Sequence, residues 1–155
     1  MKMKLVYLAS PFWTPTQLAT IEAVEATIKA AGLALYSPRN DGVLTQMTPE
    51  ERQRNAGKLF RLNCSNIIHA EGVVAVLDEK DTGTTWELGF AYYHRRYFSG
   101  RFRIFAYTST EIKMNVMLAQ CFDAHAVGLG QLKYVLDLFA AGTEAQKPEA
   151  TAEVY

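Results

Sequence analysis

Asp81-Thr-Gly-Thr-Thr-Trp-Glu-Leu-Gly-Phe-Ala91 follows the apolar run Val73-Val-Ala-Val-Leu77 and opens a helical pattern that reaches about Arg96. The apolar run reads as a buried strand. Asp81 therefore falls in a strand-to-helix loop, and Glu87 in or near the first helical turn. In an open α/β sheet, ligands bind outside the carboxyl ends of the strands. Two acids at that point suggest chemistry on a polar small molecule. The plain alternative is that Glu87 only favours a helix N-terminus and Asp81 only makes a turn. Spacing alone leaves both open.

Working outward, hydrophobic period organises the rest of the chain. Lys4 to Ala9 reads as a first strand and Leu33 to Tyr36 as a short second one. Pro15 or Thr16 to Ala31 reads as the helix between them, stopped by Gly32. Residues 39 to 48 form a polar loop. Thr48-Pro-Glu-Glu51 then starts a helix running to about His69, with an N-cap Thr, Pro in first place and acids in the first turn. The third helix is expected over Thr84 to Arg96, strands over Arg103 to Tyr107 and Ala124 to Val127, and a last helix over Gln131 to Ala141.

Strands alternating with helices imply a parallel sheet with right-handed crossovers. The expected fold is α/β: one doubly wound domain with a mostly parallel five-stranded sheet, flavodoxin/Rossmann-like, in the order 2-1-3-4-5. That order puts the switch point between strands one and three. Tyr7, near the end of strand one, would share a crevice with the Asp81–Glu87 segment. The domain is expected over residues 1–142, with 143–155 as a loose tail whose last residues are apolar.

Bulk properties narrow the classes. A chain of 155 residues holds one domain with a sizeable core. Sixteen basic residues balance sixteen acidic ones, so nothing asks for a nucleic-acid polymer or an anionic membrane. The apolar runs are too short to span a bilayer, and the N-terminus has no long apolar signal core. Cys64 and Cys121 stand far apart and the three histidines are scattered, so no metal site is read. Reduced thiols in a cytoplasmic protein are expected. No Gly-rich phosphate loop points to a dinucleotide or nucleoside triphosphate, and no cofactor is expected.

Three elements carry a family resemblance: Tyr7-Leu-Ala-Ser-Pro-Phe12, Asp81-x-Gly83-x-x-x-Glu87-Leu-Gly89 and Asn115-Val-Met117. Together they resemble the nucleoside 2-deoxyribosyltransferases, over nearly the whole chain in order and spacing. The ending Glu153-Val-Tyr155 is similar to that of some bacterial members. The second element is the specific one, because many α/β proteins begin like the first.

The resemblance implies transfer of 2-deoxyribose between nucleobases through a covalent glycosyl-enzyme. Glu87 matches the family nucleophile, and a carboxylate can stabilise an oxocarbenium-like transition state and then bond to it. Two displacements give net retention. The helix N-terminus is expected to help keep Glu87 ionised. Tyr7 matches a tyrosine that orients this carboxylate, the alternative being a strand aromatic in the core. Asp81 matches an acid that binds sugar hydroxyls, and it would suit a 5′-phosphate badly. Ser10 and Gly83 belong to the matching elements. Phe12 and Trp13 lie where the family places aromatics around the base, or else one of them fills the core. Asp41, beside Asn40 and Gly42, falls where the family discriminates bases, or is a turn residue. Asn115, Met117 and the terminal carboxylate of Tyr155 would complete a neighbouring subunit's site. That implies a homo-oligomer, a dimer or a hexamer built as a trimer of dimers.

One residue departs from the lactobacillus-type pattern. In the run Arg61-Leu-Asn63-Cys-Ser-Asn66-Ile, Asn63 stands where those members carry the aspartate that protonates the leaving base. An amide is no general acid, although it can hydrogen-bond a base edge. Two alternatives therefore stay open beside the transferase: an N-glycosidase acting on deoxynucleosides or their 5′-monophosphates, and a non-catalytic nucleoside-binding module.

Overall fold

The computed structural model describes residues 2–40 and 47–143. Its element order is β1 (Leu5–Ala9), α1 (Pro15–Ala30), β2 (Ala34–Tyr36), α2 (Pro49–His69), β3 (Gly72–Val76), α3 (Thr82–Tyr97), β4 (Arg103–Thr108), α4 (Val116–Ala119), β5 (Ala124–Val127) and α5 (Gly128–Ala141). The five strands form one sheet in the order β2-β1-β3-β4-β5. Every pairing is parallel. The expected topology is therefore the observed one, with the switch point between β1 and β3.

Alternation along the strands divides the core in two. Val6, Leu8, Val74, Val76, Phe105 and Tyr107 point to one face, against Ile21, Val24 and Ile28 of α1 and Leu132 and Leu136 of α5. Tyr7, Ala9, Val73, Ala75 and Ile104 point to the other, against Ile67 of α2 and Leu88 and Ala91 of α3. Both faces are covered, which is why the strands read as continuous apolar runs. Truncating a fully buried residue such as Leu88 to Ala should cost roughly 2–5 kcal/mol.

Local chemistry sets the helix ends. Thr14 caps α1 in a capping box with Gln17, and Thr48 caps α2 in one with Glu51. Just beyond α1, Gly32 adopts φ 72°, a left-handed conformation that glycine takes without a Cβ penalty. The buried stripe of α1 contains an acid, Glu25. Its carboxylate takes Arg39 Nε at 2.9 Å and Nη2 at 2.6 Å, with Asn40 Nδ2 at 3.1 Å. This clamp ties the chain just after β2 onto α1. Burial would raise the Glu25 pKa, but hydrogen bonds from Arg39, Ser37 and Asn40 outweigh it and leave the carboxyl below its ordinary range.

Two helix starts and one short helix differ from expectation. α3 begins at Thr82, two residues early, because Asp81 itself is the N-cap. α5 begins at Gly128 rather than Gln131. The four-residue α4, capped by Asn115, was too short to show a period.

Candidate active site

The site is built where β1 and β3 end. Tyr7 lies in the middle of β1, fully buried on the α2/α3 side of the sheet. Its hydroxyl donates to Glu87 Oε1 at 2.6 Å. Tyr7 is thus both a core aromatic and a partner of the acid. Burial, followed by the Glu87 charge, pushes the tyrosine pKa far up, so the phenol stays a donor.

Glu87 is half-buried and lies in the second turn of α3, not the first. Burial, with the Asp81 charge adding to it, pushes its pKa up to about 7 against the lowering effect of the Tyr7 bond. The expectation that a helix N-terminus keeps Glu87 ionised is therefore corrected. The dipole's influence falls off within the first turn, and desolvation outweighs it.

Asp81 caps α3. Its Oδ2 accepts from Thr84 N at 2.6 Å and Thr84 Oγ1 at 2.8 Å. Gly83 leaves room for this cap: a Cβ there would stand 3.2 Å from Asp81 Oδ2, a tight contact that the cap would have to relieve by a few tenths of an ångström. The Asp-x-Gly spacing thus has a local cause as well as a place at the crevice.

The remaining candidates are spread around this centre. Ser10 is buried just past β1. Phe12 packs against the α1/α5 core. Trp13 is 59% exposed, its ring centre 4.6 Å from that of Phe12, with the Arg52 guanidinium 6.0 Å above its face. Phe12 is therefore the core filler of the pair and Trp13 the exposed member. Asn63 is half-buried on α2. Asn115 is exposed, and its Oδ1 accepts from Met117 N at 2.9 Å. Met117 is 74% exposed. Asp41 and Tyr155 lie outside the described residues.

Two residues beside Tyr7 escaped the sequence reading. Tyr36 stacks on it, with ring centres 5.5 Å apart and planes at 18°. Cys64, one position past Asn63, has its thiol pKa raised by burial and also by the Glu87 charge. The inward spacing of Cys64 and Ile67 on α2 was the available signal for the second. For Tyr36 it was the matching position of two tyrosines near the ends of adjacent strands.

A buried tyrosine bonded to a half-buried glutamate thus stands at the switch point of a doubly wound sheet, with a second acid opening the same helix. The family model of nucleoside 2-deoxyribosyltransferase matches residues 6–140. The chain belongs to that family. Among solved structures it is similar to the 2-deoxyribosyltransferase of the psychrotolerant bacterium Bacillus psychrosaccharolyticus, with TM-score 0.66 and 24% identity over 85% of this chain and 95% of that one. It is also similar to a conserved protein from Enterococcus faecalis V583, with TM-score 0.51 and 18% identity over 90% and 89%. At these identities the likeness is one of fold. No curated protein matches the sequence significantly.

Proposed function

We propose that the protein transfers 2-deoxyribose between nucleobases, with Glu87 as the nucleophile. The observation that carries this is the 2.6 Å bond from Tyr7 of β1 to Glu87 Oε1, on the helix that Asp81 opens. Family membership supports the reaction class. The ionised carboxylate attacks C1′ of a deoxynucleoside. The glycosidic C–N bond breaks, its electrons go to the base nitrogen, and the base leaves with a proton. An acceptor base then attacks the same carbon and Glu87 leaves, so configuration is retained overall. Tyr7 holds one carboxylate oxygen and thereby aims the other.

Asp81 offers its second oxygen to sugar hydroxyls, while its charge disfavours a 5′-phosphate. Trp13, the exposed aromatic of the pair, is available to the base, and Ser10 lines the same end of β1. Asn63 gives the departing base an amide hydrogen bond, so the proton comes from solvent. Asn63→Asp should then speed base departure at mildly acid pH, and no gain with any donor base would remove Asn63 from the site.

The same reading makes the protein a homo-oligomer whose copies share sites, a dimer or a trimer of dimers. Asn115, Met117 and the terminal carboxylate of Tyr155 would complete a neighbour's crevice. The support is an apolar outer face on the α2–α3–α4 side, where Phe60, Trp86, Tyr93, Tyr97 and Met117 are all exposed. Four half-exposed aromatics of about 200 Å² each offer roughly 450 Å², a large part of the roughly 800 Å² per partner that a stable pair buries. A two-fold pair would set this patch of one copy against the same patch of the other. No helix among the described residues is long and apolar enough to cross a membrane. Two free cysteines fit a reducing cytoplasm.

The test is incubation with deoxyadenosine, or with its 5′-monophosphate, plus a second base, with and without that acceptor. A new nucleoside, formed faster from the free nucleoside donor, is expected. Free sugar alone would move the protein to hydrolysis, preference for the monophosphate would contradict the role of Asp81, and no product would contradict catalysis on these substrates.

A further inference from the structure

On the β2 side of Tyr7 stands a second tyrosine, Tyr36. In the parallel ladder, Tyr7 of β1 and Tyr36 of β2 are register partners. Side chains at such positions rise from the same face of the sheet. Their rings stack at 5.5 Å and 18°. On the opposite flank, Tyr7 is in register with Val73 of β3, deep in the core. The tyrosine ring therefore meets Tyr36 of the edge strand on one flank and a core strand on the other.

That edge strand has three residues and one neighbour, so its own ladder holds it weakly. Its end is fixed instead by the residues that follow. Asn40 N donates to Ser37 O at 2.9 Å, closing a turn. Arg39 and Asn40 then lock that turn to the buried Glu25. The clamp, the turn, Tyr36, Tyr7 and Glu87 form one continuous chain of contacts.

We infer that Tyr36 is a positioning residue for Glu87, acting through its stack on Tyr7. The inference rests on Glu87 being the nucleophile. Tyr36 touches neither sugar nor base in this role. It blocks the rotation that would carry the Tyr7 hydroxyl away from Glu87 Oε1. The groups facing Glu87 are Tyr7 from β1, Cys64 from α2 and Asp81 at the start of α3. Of these, only Tyr7 favours the carboxylate form. Displacing Tyr7 therefore has a definite sign: Glu87 titrates higher.

The experiment is a double-mutant cycle, Tyr36→Leu and Tyr7→Phe singly and together, with Tyr36→Phe as the conservative control. Two readouts are used. The first is the Glu87 titration in the free protein, followed by carbon NMR of labelled carboxyl groups, which needs no turnover. The second is kcat for exchange. Tyr36→Leu should raise the Glu87 titration as Tyr7→Phe does, and lower kcat about tenfold, the size of one hydrogen bond to a charged group. Tyr36→Phe should restore both. In the Tyr7→Phe background, Tyr36→Leu should change neither, since coupled residues do not add. A full second loss in that background would overturn the inference. So would a Glu87 titration that falls, because Tyr36 would then act by excluding water. If no form of the protein exchanges bases, the transferase reading fails, while the titration still decides the role of Tyr36.

Discussion

Tyr7 and Glu87, eighty positions apart in sequence, meet through a 2.6 Å hydrogen bond at the switch point of the sheet. The pair sets two opposing influences on one acid. Burial raises the carboxyl to about 7, and the phenol lowers it. An acid tuned in this way is a weak nucleophile below neutrality and a better one above.

The first prediction concerns rate. The kcat/KM for exchange should rise with pH through an inflection near 7, as Glu87 ionises. Tyr7→Phe removes the one lowering influence and should move the inflection upward. The pH–rate profiles of wild type and Tyr7→Phe check this. An inflection near the ordinary carboxylate range in wild type would contradict it.

The second concerns stability. The Glu87 pKa is raised on folding from 4.5 to about 7, so within that window the folded state binds the extra proton. Stability from this group is fully present below the lower value and is lost as pH rises through the upper one. Glu87→Gln should therefore be more stable than wild type at pH 8, by up to roughly 3 kcal/mol, and closer to it at pH 4. Denaturant unfolding at the two pH values measures the difference.

How far the chain was legible follows from where each signal lies. Uninterrupted apolar runs and the Thr48 cap marked the strands and α2, because these are local patterns. The Asp81-x-Gly83 spacing marked a site, yet the same residues also make a helix cap, and only the hydrogen bonds to Thr84 show that Asp81 begins α3. Phe12 and Trp13 are adjacent aromatics, and nothing in their order says which one turns into the core. Tyr36 and Cys64 carried only weak positional signals, because their meaning depends on contacts with Tyr7 and Glu87 across distant elements. The ionisation of Glu87 was misjudged for a related reason: burial is a tertiary property, whereas nearness to a helix start is a local one.

The third prediction tests the clamp. Arg39→Met leaves Glu25 buried without its ion partner, and should destabilise the fold by about 3–5 kcal/mol at neutral pH. The Glu25 pKa is lowered on folding, so the stability it contributes is present above its ordinary value and lost as pH falls. The penalty of Arg39→Met should therefore shrink in acid. Urea midpoints at pH 7 and pH 4 provide the comparison.

The fourth concerns shared sites. If Asn115 of one copy completes the crevice holding Glu87 of another, the inactive variants Glu87→Ala and Asn115→Ala should complement. Co-refolded at equal amounts, about half the pairs are mixed and each has one intact site, so roughly a quarter of sites recover. Exchange assays on the mixture, with mixed pairs confirmed by mass spectrometry, read this out. Mixed pairs without recovery would mean that each subunit builds its site alone.

The central claim is that Glu87 carries the sugar. Its most direct test is to supply deoxyadenosine without an acceptor base, quench in acid, and map the protein by peptide mass spectrometry. A mass increase of one deoxyribosyl unit on the peptide containing Glu87, absent in Glu87→Ala, is the predicted result. Normal base exchange by Glu87→Ala, or an adduct on another residue, would contradict it.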